Sequence, residues 1–418
     1  MGDLTAALIA LLGLVGALAV AGWWLVPWRR PAAARSAQLA ALAALPADAV
    51  ARGRRLRAAL RLPRYGSQLL GAAVALLLGL TPAGARLVDA VAAPFGGHWL
   101  AAAGFGGLAV LFAAQPVTLP LAARRHAILV DYGLSTQGWG GWGMDVLKGY
   151  AVTAVLGAAG LAGFFTITRW FPDQWWAVAS AGAAGLVALL LFAFPVLVEP
   201  VFNRFDPLPA GPLRERLLAL ARQDGVPVRE VLVADASRRT RAVNAYVSGL
   251  GPTRRIVLHD TLLATAAPDE VVGVVAHELA HARYRDVVAG TVLGALTAAA
   301  AVVGVYLLGF WDGLLRAAGV SSIGQPQAVG LLMAVALLAG LVTAPLPALA
   351  SRRVEARADA HALALTGDPA GFAAMQARLA MTNLVDPDPP RWERWYSASH
   401  PSTVERIAAA RSWRRVSR

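Results

Sequence analysis

About seven apolar stretches, near residues 4–26, 66–83, 98–121, 150–168, 175–198, 286–310 and 326–350, commit most of this 418-residue chain to a lipid bilayer. Each approaches the ~20 residues a helix needs to cross the hydrocarbon core, and a helix satisfies its own backbone where no water is present. Composition agrees: 57% of the residues are hydrophobic and 15% charged, against about 25% charged in ordinary soluble domains. The first stretch lacks a basic lead-in (Met1-Gly2-Asp3) and ends on Trp23-Trp24, not on a small-residue cleavage site. It reads as a retained span and not as a signal peptide. The second is interrupted by Thr81-Pro82.

A net charge of +13 would suit a nucleic-acid partner, but the arginines cluster between the apolar stretches. Cytoplasmic loops of membrane proteins carry such clusters. Arg29, Arg30, Arg35, Arg52, Arg54, Arg55, Arg57, Arg61 and Arg64 follow the first stretch. Arg124, Arg125 and Lys148 come between the third and fourth, while 84–97 and 311–325 are sparse in charge. An outside amino terminus and a cytoplasmic carboxyl terminus satisfy every loop. The partners expected are therefore a bilayer and no nucleic acid. The chain has no cysteine, so a metal here must be held by histidine and carboxylate.

Two regions between the apolar stretches carry the chemistry. Residues 211–224 have helical periodicity, and 230–234 (EVLVA) and 254–259 (RRIVLH) read as short strands about a turn-rich segment. A small sheet thus precedes a helix starting at Pro268, with Asp269 and Glu270 in its first turn, where the helix dipole favours acids. That helix contains His277-Glu278-Leu279-Ala280-His281 and runs into the sixth span. One helical turn separates His277 from His281, so both can ligate one Zn²⁺ while Glu278 serves as base to a water there. A third ligand must come from elsewhere. Glu355 and Asp359, one turn apart after the seventh stretch, offer one carboxylate for zinc and one to hold a ligand histidine's free N–H. The same acids also fit a solvated helix, paired with Arg352, Arg353 and Arg357.

Over about 200–285, and again at 351–365 and 396–406, the chain resembles the type I CAAX prenyl proteases, integral-membrane zinc metallopeptidases. The matching segments are EPVFNRFDPL (199–208), NAYVSGLGPTRRIVLHDTLL (244–263), HELAH (277–281), RVEARAD (353–359) and HPSTVER (400–406), with a weaker match at 124–137. The resemblance implies seven helices around an intramembrane chamber. It implies His277, His281 and Glu355 as ligands of one Zn²⁺, Glu278 as catalytic base and Asp359 as partner of a ligand histidine. It further implies that His400 stabilises the oxyanion and that Asn244 binds substrate backbone. Asn244 also suits a turn, and His400-Pro401 also suits the lead-in to a capping box at Ser402–Glu405. His259 and His361 read as structural.

The expectation is a mainly α integral membrane protein with a multi-span region at 1–198. A zincin-like peptidase domain at 199–418 includes spans 6 and 7 and a small β-sheet. Its activity would be zinc-dependent endopeptidase cleavage of protein or peptide substrates at the cytoplasmic face, with oligomeric state open. High alanine and arginine content points to a bacterial plasma membrane, where prenylated substrates are scarce, so the reaction can transfer without the substrate. A membrane quality-control protease of the related HtpX branch is the alternative inside the class. A non-catalytic scaffold or transporter is the alternative outside it.

Overall fold

The computed structural model describes residues 2–28, 33–193 and 197–413. Arg29 and Arg30 of the first loop, and residues 194–196 of the fifth apolar stretch, lie outside them. Among the described helices, Asp3–Leu25, Trp139–Trp170, Asp286–Leu308 and Pro326–Thr343 are long and apolar enough to cross a membrane singly. The second and third expected spans are bent elements instead. Ala47–Leu80 meets Ala83–Phe95 at 80°, and Trp99–Phe112 meets Gln115–Asp131 at 44°. The first break falls at Thr81-Pro82, where Pro82 has no N–H to continue the ladder. The fifth stretch holds a shorter apolar helix, Trp175–Leu191. Length and composition thus give four crossing helices, or six with each bent pair as one, where the apolar stretches alone suggested about seven.

Small residues let these helices approach. A side chain at Gly79 would meet Ala334 and the Gly330 carbonyl, and one at Gly330 would meet the Leu78 carbonyl. With lipid on both sides there is little hydrophobic gain in joining two helices, so close backbone packing supplies the attraction.

The remaining chain builds a four-stranded sheet: β1 (Phe205–Pro207), β2 (Glu230–Ala234), β3 (Ala245–Ser248) and β4 (Arg255–His259), in spatial order β1-β2-β4-β3. The expected strands β2 and β4 pair in parallel, with Val231 opposite Ile256 and Val233 opposite Leu258. Strands β1 and β3 are additional, both antiparallel and both at an edge. One core joins the sheet to three helices: Val231, Ile256 and Leu258 pack with Leu217 of Pro212–Gln223, Leu279 of Pro268–Arg283 and Met375 of Pro369–Thr382. All six side chains are buried. Truncating one of the large ones to alanine costs typically about 2–5 kcal/mol. That core fixes the HExxH helix against the sheet.

Candidate metal centre

The HExxH helix spans Pro268–Arg283. It opens with proline in its first turn, and Glu270 accepts a hydrogen bond from the Ala267 N–H at 2.9 Å, satisfying one otherwise orphaned donor. It does not continue into the next span. Arg285 takes a left-handed φ of 56°, and the Asp286–Leu308 helix starts after it. Left-handed backbone at a residue with a Cβ costs about 1–2 kcal/mol, so this break is held by its surroundings.

The acids at 355 and 359 lie on the Pro345–Thr366 helix, which packs beside the HExxH helix and ends on Gly367 at φ 66°. Both are buried, at 8% and 5% exposure, which excludes the solvated-helix arrangement. Arg352 instead donates to the Arg394 and Ala398 carbonyls, and Arg357 pairs with Asp286.

His277, His281 and Glu355 converge. One potential ligand atom from each lies within 4.8 Å of the others. His277 Nε2 is 3.2 Å from Glu355 Oε2, and His281 Nε2 is 3.6 Å from Glu355 Oε1. A tetrahedral zinc with ligands at about 2.0–2.2 Å sets its ligand atoms roughly 3.4 Å apart. The donor set fits in a second respect: Glu355 Oε2 is buried without a hydrogen bond despite its closeness to His277 Nε2. When the imidazole is neutral with its proton on Nδ1, two lone pairs face each other, and a cation between them resolves the conflict.

Each imidazole is held from behind. His277 Nδ1 lies 2.9 Å from Asp359 Oδ1, and His281 Nδ1 lies 2.8 Å from Asp286 Oδ2. These carboxylates leave both Nε2 atoms facing Glu355. Each carboxylate is braced by an arginine. Arg406 grips Asp359 through two nitrogens, at 2.8 and 2.5 Å, and Arg357 pairs with Asp286. Asp286, Arg357 and Arg406 were not among the expected site residues.

These charges set the titration. Burial alone pushes His277 down, yet the Asp359 and Glu355 carboxylates beside its two ring nitrogens win and raise it to about 9 in the metal-free chain. Burial works against the Asp359 carboxylate, but Arg406 and His277 hold it far below the usual carboxylate range. Burial pushes the Glu278 carboxyl up, against the pull of His277 and His281, which moves it towards the range useful to a general base.

His400 stands at the rim, its side chain 58% exposed and its Nε2 3.4 Å from Glu355 Oε1. It precedes the Thr403–Ser412 helix, whose capping box is present: Ser402 N donates to Glu405 and Glu405 N to Ser402 Oγ. The cap and the placement of His400 are compatible, since that helix also delivers Arg406 to Asp359. Asn244 is exposed just before β3 and accepts from the Ala245 N–H at 3.0 Å. Edge strand β3 and the HExxH helix enclose a small cleft lined by Val247, Leu250, Glu278 and His281. His361 holds Asp224 at 2.8 Å, and His259 lies on β4.

Comparison with known proteins bears on both halves of the chain. Residues 207–414 match the model of peptidase family M48. Residues 67–204 match that of the CAAX prenyl protease N-terminal region with five membrane helices. Among similar proteins, an uncharacterized metalloprotease of Bacillus subtilis, YhfN, is 28% identical over 70% of each chain. A CAAX prenyl protease 1 homolog of Oryza sativa is 32% identical over 63% of this chain, which spans 62% of that protein's length. The crystal structure of S. mikatae Ste24p superposes with a TM-score of 0.78 at 21% identity, covering 97% of this chain and 98% of that one; at that identity the likeness is one of fold. The helical membrane region, the small sheet and the converging His-His-Glu cluster thus have one common explanation: the chain belongs to peptidase family M48, as an integral-membrane metallopeptidase of the CAAX prenyl protease group.

Proposed function

We propose that this chain is a zinc endopeptidase that binds one Zn²⁺ through His277, His281 and Glu355. The observation that carries the reading is the convergence of those three side chains, with both Nδ1 atoms held by carboxylates. A bound zinc supplies a Lewis acid that polarises the scissile carbonyl and makes a coordinated water acidic. Glu278 takes the proton from the attacking water and returns it to the leaving amine. His400, at the rim, donates to the oxyanion as it develops. Asp359 keeps His277 oriented. The unpaired edge of β3 beside the cleft offers backbone groups to an extended peptide, and Asn244, at the start of that edge, engages the substrate main chain.

The substrates are peptides or proteins reaching the site from the cytoplasm or the bilayer. We divide the chain near 198/199 into a membrane region and a peptidase region. The meeting of the two family models near residue 205 supports that division. The test is cleavage of a quenched peptide with zinc stoichiometry measured alongside, before and after chelation. Cleavage that tracks bound zinc is the expected result, and an intact peptide with one zinc per chain would favour a non-catalytic scaffold. Comparing a farnesylated CAAX-type peptide with an unfolded membrane protein separates prenyl-protein processing from quality control.

A further inference from the structure

A cavity of about 610 Å³ lies away from the metal centre, between the first turns of the Arg61–Leu80 helix and the last turns of Gln115–Asp131. The turn Asn383–Asp386 borders it. Its volume falls in the ~300–1,000 Å³ range of small-molecule sites.

The lining has two characters. Leu60, Leu121, Leu129 and Leu134 make an apolar wall, and Arg57, Arg61, Arg64 and Arg125 bring positive charge. The two carboxylates present are already matched: Arg57 pairs with Asp386 and Glu393, Arg54 with Asp386, and the Tyr65 hydroxyl donates to Glu393. Arg61 and Arg125 have no carboxylate partner among the described residues. Arg64 lies over the Tyr65 ring at 5.5 Å and makes no ion pair among the described residues, though its charge helps hold the Glu393 carboxyl low. Three cations therefore border an apolar space.

The depth of the cavity is set by the helices that build it. The first runs from Arg61 and Arg64 into apolar sequence and the second reaches Arg125 from apolar sequence, so the cavity sits where the chain passes from polar surface to hydrocarbon. Trp392, 56% exposed and 5.9 Å from Tyr65, and Trp395, 64% exposed, lie at the same end of the fold. Exposed tryptophans collect at headgroup level.

We propose that this cavity binds one anionic membrane phospholipid, its phosphate among Arg61, Arg64 and Arg125 and the start of an acyl chain against Leu60, Leu121 and Leu129. A basic pocket between membrane helices at headgroup depth matches that chemistry in both charge and polarity. The site is separate from the proposed zinc centre and stands whether or not that centre hydrolyses peptides.

The test uses the purified full chain in a neutral detergent, with dioctanoyl phosphatidylglycerol as probe, read by native mass spectrometry. One lipid per chain is expected, with dioctanoyl phosphatidylcholine and inorganic phosphate each weaker by about tenfold or more. Arg61→Gln/Arg64→Gln/Arg125→Gln should weaken the anionic lipid by about tenfold or more, whereas the charge-matched Arg55→Gln/Arg124→Gln/Arg222→Gln should change it by less than about threefold. Equal binding of both lipids, equal binding of phosphate alone, or equal losses in the two variants would each overturn the proposal. A photoactivatable phosphatidylglycerol on the unaltered protein gives an independent answer. Label concentrated on residues 56–67, 121–134 and 383–393 supports the site, and label spread over all apolar helices contradicts it.

Discussion

His281 Nδ1 lies 2.8 Å from Asp286 Oδ2, across the break that ends the HExxH helix. Five residues along a continuous helix would put the two side chains about 140° apart. The left-handed Arg285 turns the chain so that they meet. Asp286 is thereby to His281 what Asp359 is to His277. Asp286→Ala should weaken zinc binding by about 10–100-fold, the usual effect of losing a carboxylate behind a ligand histidine. Competition against a chelator of known affinity measures it, and unchanged affinity would remove Asp286 from the metal site.

Zinc binding should also depend on pH through His277. The metal-free imidazole holds its proton up to about pH 9, and the ion must displace it. Affinity therefore rises by about tenfold per pH unit below that value. The sign for stability is opposite. A histidine raised from 6.5 to about 9 by folding stabilises the metal-free chain fully below 6.5 and loses that contribution as pH climbs through 9. Thermal scans of stripped protein should show Tm falling across that window, with a smaller change when zinc is bound.

Much of this arrangement is legible from residues alone. HELAH at helical spacing, Pro268 with two acids behind it, and the EVLVA and RRIVLH strands all appear where local sequence puts them. What escapes is whatever depends on a partner distant in sequence or on a break in a helix. Strand β3 is four residues ending beside Gly249 and Gly251, and only its pairing with β4 makes it a strand. Asp286 is hidden because periodicity assumes a continuous helix. Arg406 is hidden because its partner lies 47 residues earlier. The bent spans escape a hydropathy count, which measures length and not direction.

Glu355→Ala should lose zinc, since two protein ligands remain, while His400→Ala should keep it and lower only the turnover rate. Metal analysis of both proteins separates the roles. Full zinc content in Glu355→Ala would place the third ligand elsewhere.

The proposed cytoplasmic placement of the site can be checked in the cysteine-free background. Ala90→Cys and Ala409→Cys are both exposed positions. With a membrane-impermeant thiol reagent on intact cells, the first should label and the second should not. The reverse pattern would turn the topology over and move the site to the outer face.

The most direct measurement is turnover by Glu278→Gln at verified zinc content. The amide nearly matches the carboxylate in shape but cannot accept the proton from water, so metal and fold should persist. Peptide cleavage should fall by about 10²–10⁴. A zinc-replete Glu278→Gln protein that cleaves within a few-fold of the unaltered chain would contradict the assignment of Glu278 as base, and with it the proposed mechanism.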